Sequence, residues 1–264
     1  MIPKIIHYCW YGNGKKDALS ERCIASWKKY CPDYQIMEWN EDNCDIDSTV
    51  WTKEAYENRK WAFVSDYFRL KAMYEYGGIY MDTDVELFKN LDSFLANDAF
   101  VGYADDTYIG SGMFGCEKGS EFCKQLLDYY QGRHFVNPDG SFYDVPNNQI
   151  YTTICMKKLG FKLGDDHIDC GNTRVYPSDY LSPFKKRTIG DPDMIYSYAN
   201  FDCTPNTHAI HYTVFSWGGV QSSLVTRIKL VVNQAVRSTL PRNMYFKLKR
   251  NAKLKEMEER VRLF

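Results

Sequence analysis

Apolar and polar positions fall into short blocks through the first third of the chain, each closed by a glycine, a proline or an acidic pair. Lys4 to Trp10 (KIIHYCW) is a β-prone run ended by Gly12-Asn13-Gly14, which predicts a strand followed by a loop. Between Asp17 and Tyr30, Leu19, Cys23 and Trp27 recur at helical spacing until Pro32 stops them. Tyr34 to Trp39 (YQIMEW) again reads as a strand. Trp61, Val64, Phe68 and Ala72 predict a helix over 59–76 that Gly77-Gly78 terminates. Ile79 to Met81 then forms a short buried strand running straight into Asp82-Thr83-Asp84. Strand, helix, strand, helix, strand predicts an α/β sheet with helices on its faces. In such sheets ligands sit beyond the carboxyl ends of the strands. Trp10 and Asp82 both fall at such ends, so one rim should carry both. Beyond this part no repeat or low-complexity segment appears, and the middle of the chain reads as loop-rich.

Composition changes this picture only at the margins. The 264 residues are 44% hydrophobic and 25% charged, as in an ordinary soluble domain. Aromatic residues reach 16%, with 21 tyrosines, which suits ring-shaped ligands as well as a tyrosine-rich core. Nine cysteines are scattered without C-x-x-C spacing and read as free, buried thiols rather than a zinc site or disulfide framework. Met1 to Lys4 shows no secretory signal, and no apolar run is long enough to span a bilayer. A cytoplasmic protein is the expectation. Net charge is −1, yet residues 221–264 hold eleven Lys/Arg against three Asp/Glu, while the rest holds 22 against 31. The chain is an acidic body, expected over residues 1–222, with a basic appendage over 223–264.

Three groups of residues could carry chemistry. Two carboxylates one residue apart, just past an apolar strand, make a hard oxygen site for Mn²⁺ or Mg²⁺, cations that take further ligands from substrate phosphates. A surface acidic pair is the plain alternative for Asp82 and Asp84. Asp66 and Arg69 share a helix face, either as an exposed ion pair of little worth or as a pair turned over the rim toward sugar hydroxyls. In THAIHYTVFSWGG, His211 can complete a metal shell or donate to phosphate, Ser216 can bond phosphate oxygens, and Gly218-Gly219 permits close approach. His208 reads as structural. Asn147, Asn148 and Gln149, following Pro146, are candidate sugar or acceptor contacts, Asn148 foremost, with loop capping as the alternative.

Together these segments resemble glycosyltransferase family 32, the Asp-x-Asp sugar transferases. The resemblance rests on IPKIIHYCWYG at 2–12, SWKKYCPDYQIMEWN at 26–40, SDYFRLKAMYEYGGIYMDTDVELFKNLD at 65–92 and HYTVFSW at 211–217. It implies a GT-A-type, Rossmann-like mixed sheet flanked by helices, and a retaining, metal-dependent transfer of a hexose from a nucleotide sugar. The sequence does not name the sugar or the base; UDP-galactose or UDP-glucose is the expected donor, ahead of GDP-mannose. It implies that Asp84 binds the metal and that Asp82 contacts the donor ribose or metal-bound water, with His211 as a further ligand. Similarity to clostridial glucosylating toxins, which share Ser-Asp-x-x-Arg, implies that Ser65, Asp66 and Arg69 grip the donor sugar. On the same ground Cys9 and Tyr80 line the nucleotide pocket and Trp10 stacks on the base. His211, Ser216 and Trp217 would then close over the diphosphate. Asp66, Arg69, Asp82 and Asp84 form the expected catalytic set, without an assigned base. Residues 120–205 match poorly and should hold acceptor-specific structure.

Leu224–Leu240 and Met244–Phe264 read as two basic amphipathic helices separated by Pro241, suited to peripheral contact with an anionic membrane at the cytoplasmic face. A dimer contact or packing on the parent domain is the plainer alternative. Nucleic acid is not an expected partner, because the acidic body would repel phosphate. The expected acceptor is a glycan or glycolipid of surface or capsular polysaccharide synthesis. One rival is a phosphatase of the haloacid dehalogenase type using Asp82, Asp84 and Val85, with Gly164-Asp165-Asp166 as its later motif. Another is a nucleotide-sugar-binding relative without turnover.

Overall fold

A computed structural model describes residues 1–104, 108–161, 168–170, 172–183, 200–213, 255–257 and 259–261. The chain divides into two compact units, Met1–Val214 and Phe215–Phe264. The expected boundary after residue 222 and most of the two basic helices lie outside the described residues. In the second unit the described residues 255–257 and 259–260 are helical, and the Val261 N–H donates to the Met257 carbonyl. Among the described residues no helix is long and apolar enough to cross a membrane.

The first unit is a mixed α/β sheet, as the strand–helix alternation predicts. In chain order its elements are β1 (Ile5–Cys9), α1 (Ala18–Tyr30), β2 (Gln35–Trp39), α2 (Val50–Glu57), α3 (Trp61–Tyr76), β3 (Gly78–Met81) and β4 (Val85–Leu87). Then follow β5 (Ala99–Tyr103), β6 (Ile109–Cys116), α4 (Glu121–Asp128), α5 (Asn147–Lys158), β7 (Ile168–Cys170), β8 (Thr173–Tyr176), α6 (Ser178–Leu181) and β9 (Ala209–His211). Seven strands form one sheet in the order β2-β1-β3-β6-β5-β8-β7. β1 is parallel to both β2 and β3, so the carboxyl ends of all three reach one rim. β6 runs antiparallel to β3 and to β5, which brings its first residues to that same rim. A separate two-stranded ribbon pairs β4 with β9.

Local sequence explains the elements that carry the rim. The Asp17 side chain caps α1 by accepting from the Ser20 N–H at 2.7 Å. α3 is buried on most of its circumference, from Phe63 to Met73, so it lies inside the molecule. It stops at Gly77, where φ is +69° and a Cβ would stand 2.6 Å from the Lys118 nitrogen. Gly78 (φ +118°) starts β3 2.6 Å, by the same measure, from the Ile5 carbonyl, which draws β3 against β1. The core joins Ile6, Trp27, Ile79, Met81 and Phe100 to Ile210 of the ribbon.

The expectation of a loop-rich middle is corrected. α4, α5, β7, β8 and α6 all lie there. α5 (NNQIYTTICMKK) escapes a periodicity reading because its polar Asn147, Gln149, Thr152 and Thr153 are buried together with Ile150, Tyr151 and Ile154. A helix buried on several faces has no single apolar stripe to read. The eight cysteines whose surroundings are described are free thiols, seven of them buried.

Candidate active site

The rim gathers residues from five elements. β3 ends at Met81, and Asp82 follows, its backbone N–H donating to the Gly112 carbonyl of β6 at 2.8 Å. Asp84 lies one residue before β4. The ribbon register sets Val85 opposite His211, and the Tyr212 N–H donates to the Asp84 carbonyl at 3.0 Å. Backbone pairing therefore holds a side chain 127 positions further along the chain against the acidic pair. His211 Nε2 stands 3.2 Å from Asp84 Oδ1 and 3.9 Å from Asp82 Oδ2. One ligand atom from each of the three residues falls within 4.8 Å of the others.

Two carboxylates and an imidazole at this separation fit a divalent cation that takes its remaining ligands from water or phosphate. The protein's own groups show the electrostatics that such a cation would meet. Burial lowers the His211 pKa, but the charge and hydrogen bond of Asp84, with the charge of Asp82, outweigh it and raise the group to about 9. Without a cation the imidazolium itself balances the two carboxylates.

Behind the triad lies a second layer built on α3. The Arg69 guanidinium, 5% exposed, pairs with Asp66 at 3.1 Å and Asp82 at 3.3 Å. It also donates to the Ser111 carbonyl (3.0 Å), the Ser65 carbonyl (3.2 Å) and Ser65 Oγ (3.3 Å), and lies 4.7 Å from the centre of the Tyr80 ring. The Tyr80 hydroxyl donates to Asp82 Oδ1 at 2.8 Å. Burial lifts Asp66 to about 7, although Arg69 and a 2.5 Å hydrogen bond from Asn147 Nδ2 pull it down. The plain alternative of an exposed Asp66–Arg69 pair does not hold, since both side chains are buried. Cys9 is buried within electrostatic reach of Arg69 and Asp82, and burial pushes its thiol pKa up.

Trp10 stands at the end of β1, partly buried, with its indole N–H on the Gly14 carbonyl at 2.7 Å and Lys16 Nζ 5.4 Å from its ring centre. Ser65, Asp66, Arg69, Tyr80, Asp82, Asp84 and His211 are thus brought together, with Cys9 beside them. Ser216 and Trp217 lie outside the described residues. At the start of α5 the structure turns Asn147 rather than Asn148 onto Asp66, and the Tyr130 hydroxyl donates to Asn147 Oδ1 at 2.7 Å. The Asn148 side-chain oxygen is buried without a hydrogen-bond partner. His208 is structural, its ring nitrogen bonded to the Asn90 carbonyl at 2.9 Å and its ring edge-on to Phe94.

Ser111 and Gly112 were not singled out by motif, yet they seat the site. One carbonyl receives Arg69, the other receives the Asp82 N–H, and the bare Cα of Gly112 receives the His211 ring. A Cβ at Gly112 would stand 2.4 Å from His211 Cε1. Gly110-Ser111-Gly112 inside a strand is the legible signal, since strand glycines mark close approach. Gly112→Ala should therefore weaken Mn²⁺ binding about tenfold or more in a calorimetric titration, by displacing the imidazole. In a His211→Ala background the same change should add nothing. Equal losses in both backgrounds would place the effect in β6 packing instead.

Fold and site together define a mixed α/β protein with a candidate divalent-cation centre at the carboxyl rim of its sheet. Residues 18–101 match the family model described as "Glycosyltransferase sugar-binding region containing DXD motif". Inositol phosphoceramide mannosyltransferase 3 of Schizosaccharomyces pombe is 29% identical over 133 residues, 48% of this chain and 36% of the relative. The match spans about a third of that relative's length. Solved structures to which the chain shows similarity include the PaToxG glycosyltransferase (17% identity, TM-score 0.46, 60% of this chain and 70% of that one). Galactosyltransferase LgtC, in complex with donor and acceptor sugar analogues, is 12% identical with a TM-score of 0.42, covering 90% of this chain and 98% of that one.

Proposed function

We propose that the chain is a retaining, divalent-cation-dependent glycosyltransferase that moves a hexose from a nucleoside-diphosphate sugar to a glycan or glycolipid acceptor. The observation that carries this reading is the convergence of Asp82, Asp84 and His211 on one point, backed by Arg69 and Asp66, within and beside a DXD sugar-binding region. A cation held there, Mn²⁺ by preference because one ligand is imidazole, would neutralise charge on the departing diphosphate. Asp66 and Arg69 orient the donor hexose, and Tyr80 keeps Asp82 in place through its hydroxyl. Trp10 offers a ring face to the nucleobase. In front-face substitution the anomeric C–O bond to diphosphate breaks as the acceptor oxygen bonds to the same face. The acceptor proton passes to the leaving diphosphate, so no protein base is required.

The phosphatase reading leaves Asp66, Arg69 and His211 without a role, and its later acidic motif, Gly164-Asp165-Asp166, lies outside the described residues. UDP-galactose and UDP-glucose are the donors we favour. GDP-mannose belongs in the test because the curated relative is named a mannosyltransferase. We place the enzyme in the cytoplasm, with residues 223–264 at the membrane face.

The test is a thermal-shift screen of these three nucleotide sugars, each with and without Mn²⁺. One donor at about a hundred times its Kd should stabilise the fold by ~2.7 kcal/mol, and only with the cation present. If millimolar nucleotide sugar never moves the melting temperature, the donor site is misassigned.

A further inference from the structure

Asp66 is held from two sides, and one of them lies far along the chain. Its buried carboxylate, on α3, has Arg69 Nη2 3.1 Å from Oδ1. Asn147 Nδ2, at the first residue of α5, donates to the same oxygen at 2.5 Å. Both close contacts fall on Oδ1, and among the described residues no hydrogen bond is made to Oδ2. One oxygen is therefore spent on the protein, and the other is left for a ligand.

The Asn147 amide is itself fixed. The Tyr130 hydroxyl donates to Asn147 Oδ1 at 2.7 Å, so the amide is gripped at both ends. With its oxygen taken by a hydroxyl proton, the amide must turn its N–H₂ end to Asp66. Burial pushes the Tyr130 pKa well up, which keeps the phenol protonated and donating. The Tyr130 ring is fully buried, edge-on to Trp51 with centroids 5.0 Å apart and to Tyr129 at 5.3 Å. Trp51 is anchored in turn by its indole N–H on the Phe63 carbonyl at 2.9 Å. The run from Phe63 through Trp51, Tyr130 and Asn147 to Asp66 thus begins and ends on α3. A buried polar network whose members are all satisfied is rigid.

We infer that Asn147, held by Tyr130, is the positioning residue of Asp66, setting the carboxylate so that Oδ2 takes a single hydroxyl of the donor hexose. The inference rests on the glycosyltransferase reading, and adds to it two residues from outside the matched segment 18–101. The middle of the chain, expected to hold acceptor-specific structure, then shares in the donor site. Tyr130 is fully buried and touches no ligand, so its effect on sugar recognition passes through Asn147 and Asp66.

The probes are whichever of UDP-glucose, UDP-galactose or GDP-mannose binds with Mn²⁺, and its deoxy analogues, each lacking one sugar hydroxyl, all titrated by calorimetry. In the parent, loss of the hydroxyl that Asp66 takes should weaken binding about tenfold or more, because a buried acceptor is left unpaired. Asp66→Ala identifies that hydroxyl, since there its loss should cost nothing. Tyr130→Phe should shrink this one penalty to roughly threefold or less and leave those at the other hydroxyls unchanged. Asn147→Leu should do the same, and adding Tyr130→Phe to it should change nothing further. Should the leucine variant not fold, Tyr130→Phe, which lacks a single oxygen, carries the test. An unchanged penalty in either variant overturns the inference. So does an equal fall in every penalty, which marks the pair as packing alone. Donor binding without any Asp66-dependent penalty also overturns it, and leaves the glycosyltransferase reading standing. Absence of Mn²⁺-dependent binding of all three donors by the parent protein is a different result. It sinks the glycosyltransferase reading first and this inference with it.

Discussion

Asp84→Ala should abolish Mn²⁺-dependent stabilisation and lower transfer about a thousandfold, equivalent to ~4 kcal/mol of transition-state stabilisation. Asp84 is the residue nearest His211 in the triad, and its neighbour Val85 fixes the ribbon register opposite that histidine. The register is a backbone property, so the fold should survive the substitution. Removal of the carboxylate takes away the main support for the raised His211 pKa, leaving burial to pull it down from about 9. In the parent, a cation must displace the His211 proton, so affinity should climb as pH rises toward 9 and binding should release protons at pH 7. The sign is opposite for the cation-free fold. There the protonated histidine stabilises fully below pH 6.5, and that contribution is lost as pH rises through 9. Calorimetry in buffers of different ionisation enthalpy reads both effects. Mn²⁺-dependent stabilisation that persists in Asp84→Ala would move the cation elsewhere.

Arg69→Met is the second large effect, and it falls on stability as well as turnover. The guanidinium is buried and is the counter-charge for both Asp66 and Asp82. It also satisfies two carbonyls, Ser65 and Ser111. Taking one partner from a buried ionic network strands the others, which costs ~3–5 kcal/mol. At ~2–4 °C per kcal/mol for a domain of this size, the melting temperature should drop by roughly 10 °C. Arg69→Lys keeps a charge but not the planar fork, so it should recover only part of the loss. Asp66, already lifted to about 7 by burial, rises further without Arg69. A raised carboxylate binds its proton more tightly in the folded state, so the methionine variant should regain stability between pH 8 and pH 6. A drop below 2 °C would show that the network contributes little to the fold.

The parts of the site that were legible in the chain are those set by neighbours in sequence. Gly77-Gly78 can only end a helix and start a strand, and Asp82-x-Asp84 follows directly, so the acidic pair had to stand at a strand end. Asp66 and Arg69 are three residues apart on α3, so their shared face was readable. Their burial was not, because it comes from Tyr80, Ser111 and Asn147 closing over them from three other elements. Asn147 and Asn148 could not be told apart until α5 had a first residue, since a shift of one position turns a helix side chain by about 100°. α5 itself was hidden, because a helix enclosed by strands and other helices carries polar and apolar residues on several faces.

Sequence alone therefore determined the α/β class, the rim position of the acidic pair and the helix that carries Asp66 and Arg69, because glycine conformation, helical spacing and strand ends are local physics. Tertiary structure decided the rest. It brought His211 across 127 positions onto Asp84 by pairing β9 with β4, and made Gly112 the seat of that imidazole. Those features depend on which strands become neighbours, and strand partnership is settled by the burial of the whole sheet rather than by any single segment of it.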